Sequence, residues 1–124
     1  MFEFFIVSFG SILGANTRFK LKKKLEKFKF RNAYLTLSIN TIASFALGLF
    51  LSIIDRFSHL TYSYQYVLFF SIGFLGSLST FSSFVYDLFD LSIQFKFSRA
   101  LNLAIVSILF GIISFAFGSQ LFNQ

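Results

Sequence analysis

Four apolar stretches constrain what this chain can become, at about residues 2–17, 34–54, 64–91 and 101–122. A helix rises about 1.5 Å per residue, so each is near the roughly 20 residues needed to cross a hydrocarbon core about 30 Å thick. With 56% hydrophobic and 13% charged residues among 124, the chain has more apolar surface than a soluble domain of this size can bury. The expectation is an all-α membrane protein, one domain over residues 1–124, with four transmembrane helices. A cleaved signal peptide does not explain the first stretch, because its start carries Glu3 rather than Lys or Arg and three further stretches follow. There is no cysteine, which excludes disulfides and thiolate metal sites. The single histidine, His59, falls in a predicted polar loop, where it reads as solvated rather than as a ligand.

The third stretch is not a plain membrane helix. Residues 73–84 read GFLGSLSTFSSF, and Gly76 lies about 18 Å along the helix from Tyr64, near mid-membrane. The chain has no proline, so a break there must come from glycine and from hydroxyls competing for backbone hydrogen bonds. The expected place is Gly76 to Thr80, with a second half-helix starting near Thr80 or Phe81. Such a break at that depth is tolerated only where protein or an aqueous path surrounds it. The new helix start would aim amide donors and positive dipole at the membrane centre. Phe81 and Phe84, three apart, share a face of the half-helix, and Asp87 and Asp90 close it toward the next loop.

Other polar residues accompany the break. Asn40 lies in the second stretch, where a carboxamide needs partners or water; a helix–helix hydrogen bond and a functional role both fit. Ser107 lies in the fourth stretch, and its plain reading is a serine bonded back to its own helix. Gly10 and Gly14 form a GxxxG pair that lets helices approach closely.

Catalysis finds no support. The acids are Glu3, Glu26, Asp55, Asp87 and Asp90, with none paired at the centre of a span, and His59 has no partner for nucleophile activation. No phosphate loop is present. An enzyme is not expected. The block from Lys20 to Arg31 carries most of the net +6 charge. Beside apolar spans it reads as a cytoplasmic loop against anionic lipid, not as a nucleic-acid surface. Most of the 22 phenylalanines read as lipid-facing; only those beside polar interruptions invite a functional reading.

Four segments resemble the small fluoride channels of the Fluc/CrcB family: GSILGANTR at Gly10 to Arg18, TLSINTIASF at Thr36 to Phe45, GFLGSLSTFSSF at Gly73 to Phe84, and the serine-bearing fourth span. The third is the most specific, since TFSSF resembles the family's TFSTF. The resemblance covers nearly the whole chain. It implies an antiparallel dimer of four-helix subunits, each with the third helix broken at mid-membrane, and two narrow pores that export fluoride across the plasma (inner) membrane. It implies fluoride-facing phenylalanines at Phe81 and Phe84, and a pathway through Asn40, Ser83, Ser107 and Arg18. It also implies a central structural Na⁺, not transported, on the backbone carbonyls of Gly76 and Ser79. The sequence departs from the family at Ala43, in place of the glycine of GSF, and at Leu103, where a tyrosine is frequent. Two rival readings fit the residues less well. A small multidrug exporter needs an acid inside the first span, where Glu3 lies too near the start and no other buried acid is expected. A non-transporting scaffold needs no polar break aligned with Asn40.

Charge bias makes a prediction of its own. Eight positive residues from Arg18 to Arg31 follow the first span, Lys96 and Arg99 lie in the third loop, and the opposite side holds only Arg56. The positive-inside rule places loops 18–33 and 92–100 in the cytoplasm and both termini outside. A homodimer of opposed subunits needs insertion both ways, so this chain is expected to work with an oppositely biased homologue. Reporter fusions at the C-terminus should signal from outside only. Equal signal from both sides, or robust fluoride export by this chain alone, would overturn the heterodimer.

Overall fold

A computed structural model describes residues 1–28, 32–57, 59, 61–79 and 81–123. Its regular elements are helices: α1 (Phe2–Glu26), α2 (Asn32–Arg56), α3 (Ser63–Tyr66), a π-helical segment (Val67–Leu75), α4 (Gly76–Leu78), α5 (Phe81–Ile93) and α6 (Phe97–Gln120). No strand occurs among the described residues. The protein is all-α and integral to the membrane.

The first helix differs from expectation. It does not end near residue 17 but continues through the basic segment to Glu26. Residues 18–26, RFKLKKKLE, contain no glycine or proline and are mostly good helix formers. Leu21 and Leu25, four apart on one face, pack against the buried cluster of Ile39, Ala43, Leu75 and Leu78. The expected loop is therefore largely helix. Lys29 and Arg31, two of its positive residues, lie outside the described residues. Three segments are long and apolar enough to cross a membrane: Ala33–Arg56, Ser63–Ile93 and Phe97–Gln120. The first helix is not among them, because its apolar run is short and its 25 residues include Glu3, Arg18 and four lysines.

Two close helix contacts organise the rest. α2 packs along α6, with Gly48 against the Phe115 carbonyl and Gly118 against the Phe45 carbonyl. α1 packs along the π-helical segment. There, Gly10 faces Gly73 and the Phe69 carbonyl, while Gly14 faces Ser77 and the Phe74 carbonyl. The GxxxG pair thus works within the subunit. The surface left outside is apolar, with Phe2, Phe4, Phe5 and Phe9 between 59% and 73% exposed, which suits lipid. Between α5 and α6 the chain turns at Phe95, φ 57°, with Lys96 N–H donating to Leu91 and Phe95 N–H to Ser92. That is the Schellman pattern, formed here without glycine.

The third membrane segment holds the expected break and one unexpected feature. Val67–Leu75 is π-helical, with wider turns than an α-helix. The break comes at Ser79, whose backbone is extended (φ −97°, ψ 109°). Gly76, expected to weaken the helix, is helical at φ −62°, ψ −37°. Thr80 lies outside the described residues, and α5 starts at Phe81.

The glycine contacts are testable in a pair. A Cβ on Gly118 would collide with the Phe45 carbonyl, whereas one on Gly111 would meet Ser44 Oγ at 3.7 Å, an ordinary contact. Gly118→Ala should lower stability by about 1–3 kcal/mol. Gly111→Ala should be near neutral. Thermal unfolding in detergent distinguishes them.

Candidate functional site

The break falls at a serine bonded back to its own helix. Ser79 N–H and Ser79 Oγ both donate to the Leu75 carbonyl, each at 3.0 Å. The side chain takes up helical acceptor capacity, and the backbone leaves the helix at that residue. One carbonyl at this turn is met from another helix: Arg18 Nη1 donates to the Leu78 carbonyl at 2.7 Å.

Around the break lies a cavity of about 340 Å³, lined by Asn40 and Ser44 of α2, Ser79, Phe81 and Phe84 of α5, and Ser107 of α6. Three elements thus converge. α2 and α6 are held together by the Gly48 and Gly118 contacts, and α5 is laid over them by the turn at Ser79. The two phenylalanine rings lie side by side with centroids 5.9 Å apart and planes at 44°. Phe81 is 76% exposed, so its ring is not a core filler. Asn40 Oδ1 is buried and makes no hydrogen bond, which weighs against the helix–helix reading of this amide. The pocket offers amide and hydroxyl dipoles together with aromatic edges, and no charged side chain lines it among the described residues.

The remaining expected residues sit elsewhere. Ser83 is on the other flank of α5, where a cavity of about 270 Å³ is lined by Lys22, Ser82, Ser83, Tyr86 and Asp87. A helix turns about 100° per residue, so Ser83 points about 160° away from Phe81, and Asp87 about 120° away from it. Arg18 reaches the break from α1 rather than lining the phenylalanine cavity. Gly76 and Ser79 border a small recess of about 80 Å³ with Ser44 and Ser71. Leu103 lines a neighbouring cavity of about 450 Å³ with Tyr34 and Arg99.

Two features were missed from the sequence. Asp87 is buried, at 9% exposure, although no buried acid was expected. It stands on α5 opposite Lys22, not inside the first helix where an exporter needs its acid. Ser44 was not singled out, yet it lines the phenylalanine cavity. The spacing Asn40 to Ser44, four apart on one helical face, is the signal that could have revealed it.

Comparison with known sequences decides the family. The family described as CrcB-like protein, Camphor Resistance (CrcB), matches residues 5–119. This chain belongs to the CrcB family. Among CrcB relatives, a chain named fluoride-specific ion channel FluC 2 from Prochlorococcus marinus (strain NATL2A) is 58% identical over 124 residues, covering 100% of both chains. One named fluoride-specific ion channel FluC 1 from Prochlorococcus marinus (strain MIT 9313) is 35% identical, covering 95% of this chain and 90% of its own. A third, fluoride-specific ion channel FluC from Methanococcus vannielii, is 37% identical over 81% of this chain and 79% of its own. As a CrcB protein the chain groups with channels and not with enzymes, as its residues led one to expect.

Proposed function

We propose that this CrcB protein is a fluoride-selective channel that carries F⁻ out of the cytoplasm across the plasma membrane. The observation that carries the proposal is the convergence of Phe81, Phe84, Asn40 and Ser107 on one cavity at the break in the third membrane segment. The relatives named as fluoride-specific channels support it.

The chemistry suits a small, strongly hydrated anion. Phenylalanine edges carry partial positive charge, so paired rings attract an anion without holding it as an ammonium would. The Asn40 amide and the Ser107 hydroxyl replace part of the lost hydration shell. An ion must enter and also leave, and a lining of weak donors without a fixed charge satisfies both needs. The helix start at Phe81 adds positive dipole at the same place. Ser83 extends the proposed path outside this cavity, and Arg18 borders it through its bond to the break. Ser83 shares the charged cavity with Lys22, and Arg18 stands one helical turn before Lys22.

The reading extends to assembly. In it, four membrane helices per subunit, α1 included, form an antiparallel dimer. A structural Na⁺ sits between the two breaks on the carbonyls of Gly76 and Ser79 from each chain. The residues fit such an ion. Ser79 has left helical geometry and borders a recess with Gly76. No group of three or more His, Asp or Glu is available as ligands among the described residues, so main-chain oxygen is the donor at hand. When bound, Na⁺ would offset the positive ends of the two facing half-helices. The partner is an oppositely inserted homologue, with loops 18–33 and 92–100 of this chain on the cytoplasmic side. Relatives named FluC 1 and FluC 2 are in keeping with chains of this kind occurring in more than one form.

Two measurements test this. Phe81→Ile and Phe84→Ile keep bulk and apolarity but remove the positive ring edge. Each should cut fluoride efflux from liposomes about tenfold or more, the effect of losing roughly 1.4 kcal/mol of ion stabilisation, while folding and assembly persist. Normal flux through both would refute the pathway.

The cation site is tested separately. Ser79→Ala should be mild because only its carbonyl is required. Replacing Na⁺ with a bulky organic cation should lower flux. A high-resolution map with no density between the two breaks would remove the site.

A further inference from the structure

We infer that Arg18 is the positioning residue of the broken third segment, a clasp from α1 that holds the Leu78–Ser79 turn in place. The inference deepens the proposed channel reading, but its primary measurement does not depend on fluoride transport.

The register of the two elements carries it. Along α1, Gly10, Gly14 and Arg18 stand four residues apart and so lie on one face. Along the third segment, their counterparts advance in step. Gly10 meets Phe69, Gly73 and Phe74; Gly14 meets Phe74 and Ser77; Arg18 reaches Leu78. The two glycines bring backbone against backbone, since a Cβ on either would collide with a main-chain carbonyl. That approach leaves the next position on the face, Arg18, beside the end of α4. Its Nη1 donates to the Leu78 carbonyl at 2.7 Å.

The chemistry explains why a cation is used. Leu78 is the last residue of α4, and the extended backbone at Ser79 ends the helix there. A carbonyl released inside the membrane must be satisfied by protein. A guanidinium forms a charge-assisted bond to it, stronger than a hydroxyl would form. Positive charge also belongs at a helix C-terminus. Arg18 Nη2 is buried and makes no hydrogen bond, so the guanidinium gives up solvation to reach this carbonyl. The clasp therefore fixes where α5 begins and, with it, the placement of Phe81 and Phe84.

Hydrogen exchange of the purified protein, followed by mass spectrometry of peptides covering 75–85, tests the clasp directly. Arg18→Met keeps length but removes charge and donors. Exchange in this region should rise about ten- to a hundredfold, the range spanned by a charge-assisted hydrogen bond, while peptides of α6 stay unchanged. Arg18→Lys, which can still donate to one carbonyl and serves if the first variant folds poorly, should recover most of the protection. In fluoride efflux, both variants should lower maximal flux in proportion to the lost protection and leave the half-saturating fluoride concentration unchanged. Unchanged exchange at 75–85 in both variants overturns the clasp. So does a raised half-saturating concentration with protection intact, which would make Arg18 an ion-binding residue. If the wild-type protein assembled with its oppositely inserted homologue carries no fluoride, the channel reading fails, and exchange alone still decides the clasp.

Discussion

A peptide group that leaves its helix inside hydrocarbon has no water to turn to, and the centre of this structure is arranged around that need. At Ser79 the chain abandons helical geometry. The consequences spread outward from there. Serine's hydroxyl is drawn onto the Leu75 carbonyl, and Leu78 is met by an arginine from another helix. That helix must come close, which requires glycine where the backbones touch. α5 then begins within the third apolar segment, with Phe81 and Phe84 facing the cavity between α2 and α6. Each step would be unnecessary in a straight helix.

α5 also divides the interior by chemistry. One flank presents Phe81 and Phe84 to a cavity whose lining is uncharged; the other presents Ser83 and Asp87 to one that includes Lys22. Both arise from the same short amphipathic run, because successive residues sweep around the helix. Residues adjacent in sequence therefore face different surroundings, and membership of one motif does not place them on one path.

Much of this was legible in the chain. The apolar stretches gave the helices, and hydroxyls at membrane depth marked the break to within a few residues. Asn40, Ser107, Phe81 and Phe84 were singled out individually, and the fold brings them to one cavity. What escaped was long-range or cooperative. Gly76 was credited with the break on its intrinsic flexibility, but, exposed and with room for a side chain, it simply continues the helix. The basic segment looked like a loop because charge was read as solvent. Leu21 and Leu25 were the sign that one face had a core to rest on. Asp87 looked like a terminal acid, and only the packing of α2 and α6 against α5 shows it to be enclosed. The Arg18–Leu78 bond joins residues sixty apart, which no local pattern reports.

The π-helical segment Val67–Leu75 has a consequence of a different kind. Its wide turns spend more residues per turn than an α-helix does, so the number of residues between Tyr66 and Gly76 sets the angle at which the break faces the other helices. Remove one residue there and an ordinary α-helix can form, locally more comfortable than before. The faces downstream would then shift by the difference between the two windings, and the fit of the Leu78 carbonyl to Arg18 and of the two rings to Asn40 depends on that difference. Gly73 apart, which is held against Gly10, this stretch is constrained less by which apolar side chains it carries than by how many residues it has: its length behaves like a gear tooth.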